Sequence, residues 1–210
     1  MPSVPTTTGY ALLGLLHVRP WTTYELAKQM QRSLHWFWPR AERRLYDEPK
    51  RLVAAGLAVA RREHTGLRPR TVYAITDAGR AALRDWLSTP AAGRVVESES
   101  ILRVFFADAG SLEQLQAGLD RMEAEAIERI DALAGLAETP PDDLPFPERG
   151  HITALLLRLL LDEELAVLRW ARWARGTVAE WHGAGDPGSW DGATDLAATA
   201  ARARAAVRGG

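Results

Sequence analysis

Apolar side chains recur along this chain mostly with helical spacing, and only one stretch has the alternation of strands. Near the start, Ala11, Leu12, Leu13, Leu15 and Leu16 predict a short, strongly apolar helix. The helix ends near Arg19-Pro20, since proline disfavours helical backbone in the residue before it. In Thr22-Thr23-Tyr24-Glu25, Thr22 opens a second helix and Glu25 can reach back to complete a capping box, with Leu26, Ala27 and Met30 facing inward. The aromatic run Leu34 to Pro39 predicts a turn packed between helices. A third helix follows from about residue 40 to 55, with Pro39 at its start and Gly56 as its stop. Ala41, Leu45, Pro49, Leu52 and Val53 lie on one side of it, and Arg40, Arg43, Arg44, Asp47, Lys50 and Arg51 mainly on the others. Pro49 inside such a helix removes one backbone hydrogen bond and predicts a kink costing about 3 kcal/mol.

The alternating stretch comes next. Residues 57–61 and 71–75 predict two short strands, and residues 62–70 between them an exposed hairpin tip. Thr76 then caps a fourth helix over 77–87, with Ala81, Leu83, Trp86 and Leu87 available for packing. Three helices, a two-stranded wing and a closing helix is the order of a winged helix-turn-helix.

Past Pro90 the pattern becomes entirely helical. Residues 90–99 read as a connector, and Ile101, Leu102, Val104, Phe105 and Phe106 as a short apolar helix ending at Gly110. Ser111, with Gln114 as its capping-box partner, opens a long helix whose Leu112, Leu115, Leu119, Met122, Ala126, Ile130 and Leu133 form a coiled-coil-like seam. Prolines 140, 141, 145 and 147 turn the chain back into a second long helix over about 148–182. Its apolar band, which includes Leu155, Leu156, Leu159, Trp170 and Trp173, is too wide for one antiparallel partner to cover. Exposed apolar area of that extent predicts an interface, and twofold pairing is the commonest solution. The expected fold class is therefore mainly α, with an N-terminal winged helix-turn-helix and a C-terminal long-helix dimerisation arm. The divisions fall at 1–90, 91–182 and a Gly/Ala/Arg-rich, flexible tail at 183–210.

Charge sharpens this picture. The formal net charge of -1 hides a split: residues 1–90 hold 14 Lys/Arg against 7 Asp/Glu, and residues 91–210 hold 12 against 20. One half is suited to a polyanion, because Lys and Arg neutralising phosphates supply much of nucleic-acid affinity.

The N-terminal half resembles the PadR-like transcriptional regulators. The resemblance rests on Ala11-Leu12-Leu13-Gly14-Leu15-Leu16, Tyr24-Glu25-Leu26, Phe37-Trp38-Pro39, Leu45-Tyr46 with Lys50-Arg51-Leu52 and Gly56-Leu57, and the run from Pro69 to Gly79. Thr23 and Pro49 depart from the family pattern. The resemblance extends more loosely through Glu97 to Asp108 and the two long helices. It implies a homodimer binding a palindromic operator in double-stranded DNA, with the third helix in the major groove and the dimer presenting two half-sites. Arg40, Arg43 and Arg44 are then candidates for guanine or phosphate contacts. Tyr24, Lys28, Tyr46 and Lys50 are placed to hold phosphates, and Arg68 and Arg70 to reach a neighbouring groove or backbone. For the dimer interface the candidates are Leu112, Leu115, Leu119, Met122, Leu155, Leu156, Leu159, Trp170 and Trp173.

Family members can respond to phenolic or drug-like compounds. An aromatic effector has Trp86, Phe105, Phe106, Trp170 and Trp173 as candidate lining here, against the plainer reading that these residues fill the dimer core. Two other functions use the same fold: a protein-protein adaptor, and a small-molecule sensor without direct DNA readout. An enzyme is not expected. There is no cysteine, the five histidines lack metal-ligand spacing, and neither a phosphate-cradling glycine loop nor a Gly-x-Ser-x-Gly elbow is present. No cofactor and no metal are expected. The apolar run 152–161 is too short for a membrane span, and the first residues lack a secretion-signal pattern, so the cytoplasm is the expected location.

Overall fold

The computed structural model describes residues 4–39, 47–65 and 68–209, and the chain divides into two compact units, Met1–Arg94 and Val95–Gly210. In the first unit, helix α1 (Thr7–Val18) starts earlier than its leucine cluster because the Thr6 hydroxyl accepts the Gly9 amide. Leu12, Leu13 and Leu16 are buried almost completely. Trp21 turns back over this helix, donating its indole N–H to the Leu15 carbonyl at 2.7 Å. Helix α2 (Thr23–Arg32) carries the predicted capping box: the Thr22 hydroxyl accepts the Glu25 amide, and the Glu25 carboxylate accepts the Thr22 amide.

The predicted third helix lies partly on residues 40–46, outside the described residues. What is described is helix α3 (Glu48–Ala54), and this corrects the expected kink. Pro49 falls in the first turn of that helix, where a missing N–H leaves no intrahelical bond unmade. Gly56 ends it in the left-handed region at φ 73°. The Leu57 amide bonds back to the Leu52 carbonyl and the Gly56 amide to that of Val53, which satisfies two terminal acceptors.

The sheet has three strands, where two are predicted. β2 (Ala58–Thr65) and β3 (Arg68–Ile75) pair antiparallel from Ala58↔Ile75 to Thr65↔Arg68. Most of the expected hairpin tip is therefore strand, because its cationic and polar residues hide the alternation that marks the strand's inner half. The third strand, β1 (Trp21–Thr22), pairs with β3 through Trp21↔Tyr73 and Thr22↔Val72. Two residues are too few to show any period. Helix α4 (Asp77–Leu87) is capped by Thr76 as predicted. Its Gly79 packs directly on the Leu57 carbonyl, leaving no room for a Cβ.

In the second unit, α5 (Glu99–Phe105) precedes two long helices, α6 (Leu112–Ala137) and α7 (Gly150–Val178). The Ser111–Gln114 capping box starts α6 as predicted. Arg129 pairs with Glu164 and Arg172 with Glu123, which fixes an antiparallel hairpin. Leu115, Leu119, Met122, Ala126 and Leu133 of α6 and Leu160, Ala171, Ala174 and Val178 of α7 fill its seam. The segment after 183, expected as flexible or at most a frayed helix, contains helix α8 (Gly192–Arg208). Its physical reason is Asp191, whose carboxylate accepts the Ala193 and Thr194 amides ahead of an alanine-rich, strongly helix-forming run. No residue of α8 is buried. Among the described residues no helix is long and apolar enough to cross a membrane.

Two expected outcomes follow. Gly79→Ala, although favourable for helix propensity, forces a methyl group into the Leu57 carbonyl and Ile75. It should destabilise the first unit by about 1–3 kcal/mol, seen as a lower thermal midpoint; an unchanged or raised midpoint contradicts this packing. In the second unit, hydrogen bonds from Arg172 and Arg175 hold the Glu123 carboxyl below its ordinary value. A depressed folded-state value means that this contact stabilises fully above the roughly 4.3 of a free glutamate and is lost as pH falls through the folded value. Glu123→Gln should flatten the acid limb of an unfolding curve followed by tryptophan emission, and an unaltered limb would refute the linkage.

Candidate nucleic-acid interface

Three pieces of the first unit can meet an extended anionic partner: α2, α3 and the wing made by β2 and β3. Tyr24 and Lys28 stand one helical turn apart on α2, and both are exposed. Lys50 is exposed on α3, with the Asp47 carboxylate at 3.8 Å. At that separation and exposure the pair is weak, so the ammonium is free to exchange partners. Arg70 on β3 sits across the ladder from Glu63 and pairs with it at 2.9 Å. Arg68 opens β3 at the tip of the wing. Arg40, Arg43, Arg44 and Tyr46 lie outside the described residues. The structure thus places Tyr24, Lys28, Lys50 and Arg70 on the surface of one unit.

Two cations of the wing are missing from the sequence expectation. Arg61 and Arg62 are exposed and occupy successive positions of β2, opposite Val72 and Thr71. Among the described residues neither has an ion-pair partner. Their adjacency in a strand puts one on each face of the wing. The signal that could find them is the doubled arginine itself, which reads as loop only if the strand is taken to stop at 61.

The position of α3 is set from beneath by a buried carboxylate. Glu48 is 2% exposed, accepts the Thr6 hydroxyl at 2.7 Å and has the Arg51 guanidinium at 3.5 Å. The Thr6 side chain that caps α1 therefore also holds the start of α3. Gly9 makes room for the carboxylate, since a Cβ there would lie 2.8 Å from Glu48 Oε1. Trp38 ties the segment before α3 to the same helix, its indole N–H reaching the Thr8 hydroxyl at 3.3 Å. As expected for a packing role, Trp36 and Trp38 are partly buried, whereas Phe37 is more exposed.

In the second unit the expected interface residues separate into two groups. Leu115, Leu119 and Met122 are buried, and Leu112 packs on the same cluster. This corrects their assignment to a dimer face, because the seam they form is already covered by α7 of the same chain. Leu155, Leu159, Trp170 and Trp173 remain exposed and Leu156 half-buried. The candidate ligand residues also separate. Trp86 stacks on Tyr10 at 4.9 Å within the first unit. Phe105, Trp170 and Trp173 line a cavity of about 280 Å³ in the second, and Phe106 packs edge-on against Phe105. Among the described residues no group of histidine and carboxylate side chains could hold a metal ion.

A three-stranded winged helix-turn-helix followed by a unit built on a long-helix hairpin defines the class as a winged-helix protein. Comparison with known proteins shows what each unit resembles. Residues 12–85 match the Transcriptional regulator PadR-like family, and residues 97–178 match Virulence activator alpha C-term. The chain is 25% identical over 168 residues to the negative transcriptional regulator PadR of Bacillus subtilis (strain 168), covering 77% of this chain and 91% of that protein. The crystal structure of Bacillus subtilis PadR with operator DNA superposes at a TM-score of 0.72 with 23% identity, over 82% of this chain and 99% of the other. The complex of the same regulator with p-coumaric acid gives 0.65 and 24%, over 81% and 98%. The first unit of this chain is thus similar to the PadR-like family of transcriptional regulators, a family of regulators and not of enzymes.

The Thr6–Glu48 bond gives a direct test of how α3 is held. Thr6→Val keeps the volume and removes the donor, leaving a buried charged oxygen without its bond. The cost should be about 1.5–3 kcal/mol, read as a lower urea midpoint at unchanged slope. No change in midpoint would mean that the contact does not hold α3.

Proposed function

We propose that this chain works in the cytoplasm as a homodimer that binds a palindromic DNA operator and represses transcription, and that an apolar or aromatic small molecule relieves the repression. The observation that carries the reading is the pairing of a cationic winged unit with a helical unit that leaves large apolar side chains uncovered. The cations of α2, α3 and the wing are the groups to neutralise phosphates and to reach base edges, with Arg40, Arg43 and Arg44 at the N-terminal side of α3 as the candidates for sequence readout. Leu155 and Leu159 of α7, together with Ile101 and Leu102 of α5, are the groups to meet a second copy. A homodimer sets two winged units at a fixed spacing, which is what a two-fold operator requires. The complexes of Bacillus subtilis PadR with operator DNA and with p-coumaric acid support both halves of this reading.

Two measurements test it. In a mobility-shift assay with DNA flanking the gene, affinity should fall by a factor of roughly 10³ or more between about 50 and 200 mM salt. Lys50→Ala should weaken binding across sequences and lower the salt slope by about 1; an absent or salt-insensitive shift would sink the proposal. In equilibrium sedimentation, the double change Leu155→Glu and Leu159→Glu should turn a dimer into a monomer with its helix content retained. A wild-type monomer at micromolar concentration would remove the dimer.

A further inference from the structure

The cavity in the second unit is bordered on one side by a piece of chain that neither family match includes. The matches end at residue 178, whereas the cavity takes Trp181 and Trp190 from the segment beyond. That segment is organised. A β-bridge joins Gly183 and Asp186, Gly188 adopts a left-handed φ of 60°, and the two indoles meet at 5.5 Å. Gly192 leaves room for the Trp190 ring, since a Cβ there would be 3.1 Å from it. With Phe105, Trp170 and Trp173, these residues put five aromatic rings around one space of about 280 Å³.

The polar groups at this cavity are few, and they point to one charge type. Asp108 is the only charged residue in the lining, and among the described residues its carboxylate has no hydrogen-bond or ion-pair partner. No cationic residue lines the cavity to receive an anion. Thr177, the other polar residue of the lining, donates its hydroxyl to the Trp173 carbonyl. Aromatic faces carry negative potential that attracts cations, tryptophan most strongly, and a nearby carboxylate adds to the attraction. The same potential repels a carboxylate ligand.

We infer that this cavity binds a small aromatic or quaternary-ammonium cation, held by the tryptophan faces, Trp190 among them, and Asp108. The inference deepens the effector reading above and rests on it only for the consequence at DNA; binding to the cavity is a separate matter. It also sets this chain apart from a regulator whose ligand is a phenolic acid.

The test titrates phenyltrimethylammonium into the full-length protein while tryptophan emission is followed, beside its uncharged isostere tert-butylbenzene and anionic p-coumarate. The cation should bind saturably and roughly tenfold more tightly than either comparison compound. Asp108→Asn, a surface change that should leave the helix content intact, should erase most of the preference over the isostere, and Trp190→Ala should weaken the cation. Equal binding of all three compounds, a preference for p-coumarate, no binding of the cation, or a preference unmoved by Asp108→Asn overturns the inference. A mobility shift run with the same compounds separates the two readings. Cation binding that leaves the DNA shift unchanged confirms the site and removes its effector role, and a protein that binds the cation but no DNA loses the proposed function while keeping the site.

Discussion

A helix that is apolar nearly all the way round has to be covered on every side, and α1 imposes that requirement on the whole first unit. Leu12, Leu13 and Leu16 have no solvent-facing alternative, so α3, α4 and β3 pack around them. Trp21 closes one side and bonds to the helix's own backbone. The cap of α1 then does a second job, because the Thr6 hydroxyl that starts the helix also holds Glu48 beneath α3. The position of α3 is thus fixed from the most deeply buried part of the unit, through two polar contacts.

The second unit obeys a different constraint. Its two long helices match small residues, Ala126, Ala171 and Ala174, with leucines along one seam, which allows close approach. Cross-helix pairs flank that seam at Arg129–Glu164, Arg172–Glu123 and Arg175–Asp120. These pairs fix register more than they stabilise, since most of the groups involved face solvent. The acidic excess read from the sequence is partly used here, on α6 facing arginines of α7.

Elements whose signals are local were legible in the sequence. The Thr22–Glu25 and Ser111–Gln114 capping boxes, the Thr76 cap and the proline-rich reversal all stand where those residues put them. What escaped depends on contacts distant in sequence. β1 exists only because Trp21 finds Tyr73. Pro49 reads as a kink when the helix is drawn back to residue 40, and as an ordinary first-turn proline in the helix described from Glu48. The seam of α6 was found by its spacing, but spacing cannot tell whether the covering helix belongs to the same chain or to another, and α7 of the same chain covers it. For the candidate interface, Tyr24, Lys28, Lys50 and Arg70 are surface residues as read. Arg61 and Arg62 were missed because strand β2 runs on past the point where its apolar residues stop.

The Glu63–Arg70 bridge gives the wing a character of its own. The carboxylate meets the guanidinium across the ladder, with both groups still about half exposed. Any anion approaching that side must compete with a resident carboxylate. Among the described residues Arg61 and Arg62 have no such anion paired with them.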